Sequence, residues 1–572
     1  MTKTNNLPGC KKYDIAIIGA GPAGIMAAIS ASIFLKSQVK NSFDKKDAAK
    51  ITRQEKDFIP ADSLTDKNSE NANGNSIISN SANANIGSSS SSSICIIERN
   101  ESAAKKLLLT GNGRCNYTAA VDKDDLVLAF GKKGRFFSDA FNELSNRDLI
   151  DFFKKEGIEP EYEKPDENGN LVKVFPKNKN ASSILQCLTC ILQENNIHVF
   201  YGFRVEKILK VKNPGETGEK SLFEILPFNG CRFANPSNNN PGPDDKKIGS
   251  PSYGTSAAGN YLLSKKPFGL FAEKIILATG GKTYPQTGST GDGYKIAKKM
   301  GHTINELIPR LIPIFIKDRD IAMLAGVSLK EAGLKILSGE KVVAKSTGSL
   351  LFTHNGLSGP CAVSIGHEVY KLLSDKQKKG LAANGSNLFE NNDPNSYKML
   401  NVEVQDLKQD FIRVSIDLAP DLSFESFKKE IFKICKPNPK KELLTLLNMV
   451  FKSIPDRLLD LILTRCKITK NLKISNLSRV EMLSIYSTIK NLECKIDSKL
   501  HFDEAIVTEG GIPLKEINPK NMQSGLIEGL YFAGEIIELA GPEGGFNLQK
   551  AFSTGWLAGK SAAKGLSSKE QI

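Results

Sequence analysis

The sequence contains no run of 18 apolar residues, so no segment is expected to cross a bilayer as a helix. Its opening residues, MTKTNNLPGCKK, lack the apolar core of a secretory signal, and a cytoplasmic location is the simplest expectation. There are ten cysteines, yet no second ligand pair accompanies the CxxC of Cys187 and Cys190, so no metal site is expected. Around that pair Ile184, Leu185, Leu188, Ile191 and Leu192 recur at helical period, which predicts both thiols on a largely buried helix. No internal repeat is visible. The formal charge of +14 raises the question of nucleic acid. The lysines are scattered in pairs such as Lys11–Lys12, Lys132–Lys133 and Lys440–Lys441, without an arginine-rich stripe or interleaved aromatics. That pattern reads as solvated faces and argues against nucleic acid as a partner.

A chain of 572 residues leads us to expect two or more domains. Three stretches have the composition of insertions: Lys36–Ser93, Asn213–Lys266 and Asp375–Ser396. The first, rich in Ser, Asn, Asp and Lys, buries too little apolar surface to offset ordering entropy and is expected to be disordered, and the second, which contains NPSNNNPGPDD, is expected to be a disordered, mobile loop as well.

What is present begins with DIAIIGAGPAGIMAA (Asp14–Ala28), a strand, a glycine turn and a helix start. Gly19 suits the tight turn, Gly21 a close backbone approach to a pyrophosphate, and Gly24 close packing of helix on strand. Pro22 fits a first helical turn, whose positive end favours phosphate. The acid that such a fingerprint requires about 20 positions later is found once the first insertion is set aside. Glu98 lies 79 positions after Gly19, and removing the 58 residues of Lys36–Ser93 leaves 21. ICIIERN then becomes the second parallel strand, ending in an acid placed for ribose hydroxyls.

Three further glycine-bearing stretches follow. KKLLLTGNGRCN (Lys105–Asn116) places Gly111 and Gly113 around Asn112 and can present several N–H groups. Cys115 in this loop has no resolving partner and reads as a small wall residue. KIILATGGKTYPQTGSTGDGYKIAKKMGH (Lys274–His302) runs from a strand into Thr279, Gly280 and Gly281, with a helix from about Asp292. GLYFAGEIIELAGPEGGFNLQKAFSTGWLAGK (Gly529–Lys560) carries a strand into Gly534 and Glu535, then Gly541, Gly544, Gly545 and a helix starting near Asn547. Four such strand ends imply one long ligand crossing the carboxyl edge of one sheet.

With LLFTHNGLSGP, these motifs in this order resemble the BaiN-like NAD(P)/FAD-dependent oxidoreductases, soluble relatives of the fumarate reductase and succinate dehydrogenase flavoproteins. The resemblance implies an α/β fold: a Rossmann-like FAD-binding domain with an inserted β-rich subdomain and a helical cap. It divides the chain into an FAD-binding part at 1–308, the β-rich subdomain at 309–420, the cap at 421–500 and a returning FAD-binding part at 501–572. The subdomain and cap would together close over the flavin. It implies non-covalent FAD, with Gly19, Gly21, Pro22, Ala23, Gly24 and Glu98 on the ADP half and Val205 reaching the adenine through its backbone. Lys106 and the loop Thr110, Gly111, Asn112, Gly113 to Asn116 would approach the pyrophosphate and isoalloxazine. Thr279, Gly280 and Gly281 would pass close to the ligand. Gly534, Glu535, Gly545, Phe546, Asn547 and Leu548 would line the ribityl chain and flavin carbonyl edge.

A flavin supplies the reactive chemistry, and the protein must orient the substrate and supply a proton or hold an oxyanion. Candidates for that role are Arg114, Tyr284, His302 and His354. Only one complete dinucleotide fingerprint is present, so a nicotinamide donor, NAD(P)H, would dock transiently. The leading expectation is a reductase of an activated C=C bond in a small organic substrate, the bond type resting on the resemblance. A flavin oxidase passing electrons to O₂ and an RNA-associated flavoprotein are the alternatives.

Overall fold

A computed structural model describes residues 10–54, 93–163, 172–212, 221–228, 269–383, 412–435, 437, 440–499 and 502–567. Among these, no helix is long and apolar enough to cross a membrane. The apolar run Ile15–Ile18 forms the end of strand β1 (Cys10–Ile18), which lies inside a seven-stranded sheet. It pairs in parallel with β2 (Ile94–Ile97) on one side and with the Gly269–Leu277 strand on the other. A run buried on both faces is what an interior parallel strand requires. His198–Phe200 extends the sheet in parallel beyond β2. Leu530–Phe532 pairs in parallel with the end of the Gly269–Leu277 strand. The fold is α/β with a Rossmann-like sheet.

Helix α1 (Pro22–Gln54) and the C-terminal helix (Phe546–Ser567) pack on this sheet and on each other. Their approach is close because small residues face one another. A Cβ on Gly555 would stand 2.2 Å from Ala23 O, and one on Gly559 2.0 Å from Ala27 O. The small-residue run STGWLAGK is therefore a helix-packing surface.

The structure corrects the expected insertions. Residues 36–54 continue helix α1, since that stretch holds no Gly or Pro and is rich in Lys, Gln and Ala. Within Asn213–Lys266, Ser221–Pro227 is a strand, antiparallel to both Val205–Lys212 and Gly269–Leu277. Its Leu222, Phe223 and Ile225 are buried, a short apolar pattern that the composition of the longer stretch concealed. Of Asp375–Ser396, residues 375–383 end the Pro360–Ala383 helix. The rest of these three stretches, 55–92, 213–220, 229–266 and 384–396, lies outside the described residues.

A second core gathers residues from Ile314 to Ile496. Its six-stranded antiparallel sheet includes Ser328–Ser338, Lys341–Thr353, Gly356–Ser358 and Ile412–Asp417, and its edge strand is Leu492–Lys495. The helices of 421–500 pack into the same core as this sheet, so the β-rich and helical stretches form one apolar unit. A two-stranded ribbon, Asn305–Arg310 with Val507–Gly511, joins this unit to the Rossmann-like sheet.

Candidate functional site

The carboxyl ends of β1, β2, the Gly269–Leu277 strand and the Leu530–Phe532 strand open into one cavity of about 470 Å³. The amino ends of α1 and the C-terminal helix meet it, and neither helix carries an acid in its first turn. Seven lysine or arginine side chains and four carboxylates line the wall, an excess of positive charge suited to an anionic ligand.

Most of the residues singled out from the sequence line this cavity: Gly19, Gly21, Pro22, Ala23, Glu98, Lys106, Thr110, Gly111, Asn112, Asn116, Val205, Thr279, Gly280, Gly534, Glu535, Gly545, Asn547 and Leu548. Gly24, Gly113, Gly281 and Phe546 do not. Gly24 serves packing instead, since a Cβ there would stand 1.9 Å from Gly19 O. Gly21 is the opposite case, with nothing within 4 Å of where its Cβ would be. Phe546 is buried in the first core.

Several polar side chains of the wall are engaged in building it. Glu98 accepts from Ala20 N and Asn100 N, each at 2.8 Å, and so ties the glycine turn to the end of β2. Burial raises its carboxyl above the usual range, against the pull of those two amides. Each oxygen keeps a lone pair for a ribose hydroxyl. The Asn547 amide accepts from Gly541 N at 2.8 Å and donates to Gly541 O at 2.8 Å, folding the GPEGG loop onto the helix. The Asn116 amide, oriented to satisfy its neighbours, donates to Thr118 O and Val174 O and accepts from Gly545 N. At these positions the helix amino end and loop backbone, rather than the amides, are left for a ligand.

Lys106 Nζ donates to Glu535 Oε2 at 3.0 Å and to Thr283 Oγ1 at 2.9 Å, so its charge is already compensated. Burial would raise the Glu535 carboxyl, but the Lys106 ammonium and the Thr508 amide hold it below the usual range. Asp292, at the start of its helix, is bound by Arg204 at 2.8 and 2.9 Å and by Arg99 at 2.8 Å. Burial opposes, yet Arg204 and Arg99 hold its carboxyl low. Lys173 Nζ donates to Glu543 Oε1 at 3.0 Å.

Several wall residues went unnoticed in the sequence, among them Arg99, Lys173, Arg204 and Lys550. Lys550 is 1% exposed, donates to Leu539 O at 2.6 Å, and lies over the Phe137 ring. Burial pushes its ammonium down to about 8. Its position three residues after Asn547 in a small-residue helix was the available signal.

The candidate proton donors separate cleanly. Arg114 and Tyr284 line the cavity; His302 and His354 do not. His302 is buried, with Nδ1 2.8 Å from Glu516 and Nε2 2.9 Å from Ser524, an internal tie between loops. His354 is exposed at the turn beside Thr353. Cys115 is fully buried behind its loop, its thiol pushed up to about 12 by burial, and it forms no part of the wall. Cys190 is exposed and Cys187 half-buried, because the apolar face of their helix is set by Ile184, Leu188, Ile191 and Leu192.

On the far side the wall is supplied by the inserted unit through Leu351, Ser358, Gly359, Pro360 and Val363. Among the described residues, none of 421–500 lines this cavity. Those helices instead pack into the core of the inserted sheet.

The model of the HI0933-like protein Rossmann domain matches residues 81–220 and 255–561. The chain belongs to this HI0933-like family. It is thereby an FAD-dependent oxidoreductase. A 3-dehydro-bile acid Δ(4,6)-reductase of Clostridium scindens is 25% identical over 471 residues, 82% of this chain and 93% of that one. A ribosomal RNA dihydrouridine synthase of Haemophilus influenzae is 24% identical over 474 residues, again 82% and 93%. Among solved structures, an open flavocytochrome c3 fumarate reductase is 13% identical with a TM-score of 0.40, covering 97% of this chain and 79% of that one. The cavity of this HI0933-like chain fits FAD on its own terms: an open glycine turn, an acid at the end of β2, two acid-free helix starts and surplus positive charge.

Proposed function

We propose that this chain reduces an activated C=C bond of a small organic molecule, using FAD held in the cavity described above. One observation carries the reading: a single cavity joins the four strand ends to an apolar far wall of Leu311, Leu351, Val363, Ile506 and Val507. Gly19–Ala23 and the start of α1 would bind the pyrophosphate, and Glu98 the ribose. The loop Thr110–Asn116 and the start of the C-terminal helix would bound the flavin ring. Bound and reduced FAD supplies hydride from its N5. The apolar wall would exclude water and lay the substrate against that ring. The bond type draws support from the names of relatives, one a Δ(4,6)-reductase and others synthases of dihydrouridine, a nucleoside in which the C=C bond of the uracil ring is reduced to a single bond. Electrons would enter from NAD(P)H docking transiently, since the sequence carries one complete fingerprint.

The test is anaerobic photoreduction followed by a screen of reoxidising acceptors, read by flavin absorbance. Unsaturated carbonyl compounds are expected to reoxidise the protein, and reoxidation by O₂ alone, with peroxide released, would overturn the reading. A second reading, favoured by the charge of +14 and the two dihydrouridine synthase relatives, makes the acceptor a uracil base in RNA. Uridine-containing RNA in the same screen separates the two.

A further inference from the structure

A reduction that adds hydride to one carbon needs a proton for the other, and the cavity offers few groups able to give it. The carboxylates and most cations of the wall are engaged as described; Arg114 is held by Glu163 at 3.6 Å and lies over the Phe175 ring, and the charge of Lys105 acts on Glu98 at the ribose end. Tyr284 stands apart. It lines the cavity, is half-buried, and its hydroxyl makes no hydrogen bond among the described residues.

Its backbone is also unusual. Tyr284 sits at φ 53° and ψ 59°, in the left-handed region that a bulky side chain rarely occupies. The conformation is fixed by its own carbonyl, which accepts from Thr287 N at 2.8 Å and Thr287 Oγ1 at 2.7 Å. The preceding residue is anchored as well, since Thr283 Oγ1 accepts from Lys106 at 2.9 Å. An aromatic side chain held in a sparsely populated conformation, with its polar atom unused, is over-determined by its surroundings.

We propose that Tyr284 is the proton donor of the reduction. The proposal rests on the reading of the preceding subsection. Hydride, carrying two electrons, adds to the carbon β to the activating carbonyl and breaks the π bond. The proton of Tyr284 Oη goes to the α carbon, and the phenolate regains a proton from water. The reductant is reduced flavin, itself renewed by a nicotinamide donor. Burial and the nearby Glu504 carboxylate both raise the Tyr284 phenol above its usual range, so it stays protonated at neutral pH. Charged groups near Tyr284 are Glu504, which is not part of the wall, and, beyond Thr283, the Lys106–Glu535 pair.

The test compares wild-type holoenzyme with Tyr284→Phe. Both are photoreduced anaerobically and mixed with an α,β-unsaturated ketone that reoxidises the wild type. Tyr284→Phe is expected to keep its FAD content and photoreduction while reoxidation slows about 100-fold or more. Should that variant fold poorly, 3-fluorotyrosine at position 284 keeps the ring and acidifies the phenol. The alkaline limb of the rate profile is then expected to move to lower pH. Reoxidation of Tyr284→Phe at the wild-type rate, or an unmoved alkaline limb, overturns the assignment while leaving the reductase reading intact. Failure of every unsaturated carbonyl compound to reoxidise the wild type overturns both.

Discussion

Lys106 Nζ lies 3.0 Å from Glu535 Oε2, closing a contact between residues 429 positions apart. Both side chains are about one-fifth exposed. Removing one partner leaves a charge in a mostly dry wall, whereas removing both leaves none. Lys106→Met is expected to cost about 3 kcal/mol, and the double variant with Glu535→Leu to lie about 1 kcal/mol from wild type. Urea unfolding of the FAD-free protein checks this; a double variant no more stable than the single would contradict it. The carboxyl of Glu535 is held low, so its contribution is present above the normal carboxylate range and lost as pH falls through its folded value.

Asn547→Ala removes both bonds that fold the GPEGG loop back on Gly541. The expected cost is about 1–3 kcal/mol, with FAD affinity lowered roughly tenfold because the loop beside the cavity loses its position. Flavin fluorescence titration and urea unfolding read the two effects separately. Unchanged affinity would return Asn547 to a purely local role.

Lys550 carries the clearest pH signature. Its ammonium is pushed down to about 8 by burial, from a usual value of 10.5, so the unfolded chain binds more protons between those two values. Stability is therefore expected to rise with pH across that window, by at most about 1.4 kcal/mol per unit. Lys550→Met abolishes that rise. A wild-type protein whose urea midpoint is flat or falling from pH 8 to 10 would contradict the assignment.

His302 is expected to matter for folding and not for turnover. His302→Ala leaves Glu516 and Ser524 without their shared partner and is expected to cost about 2–3 kcal/mol. FAD content and the rate of flavin reoxidation should match wild type. A large fall in that rate without loss of stability would reopen a catalytic role.

The glycine turn, the acid at position 98 and the strand ends were legible in the sequence because local backbone demands dictate them. Gly19, Gly21 and Glu98 hold nearby places in one βαβ unit. What the sequence concealed depends on partners distant in the chain. Nothing near Lys106 names Glu535 as its counterion, and nothing near Asn547 says that its amide serves Gly541. The Ser221–Pro227 strand was hidden for a different reason. Seven residues carrying the apolar pairs Leu222–Phe223 and Ile225–Leu226 disappear inside a polar stretch averaged over its whole length. The apolar faces of the 421–500 helices were legible as helical patterning, but that they pack into the core of the inserted sheet depends on tertiary contacts no local pattern names.

The most direct measurement titrates FAD-free protein with FAD by calorimetry, comparing wild type with Gly21→Ala. At Gly21 a methyl group meets no protein atom and would project where the pyrophosphate is placed. Wild type should bind one FAD per chain, while Gly21→Ala should unfold at the same urea concentration yet bind roughly 30-fold more weakly. Equal affinity in the two proteins, or no binding by the wild type, would contradict the account.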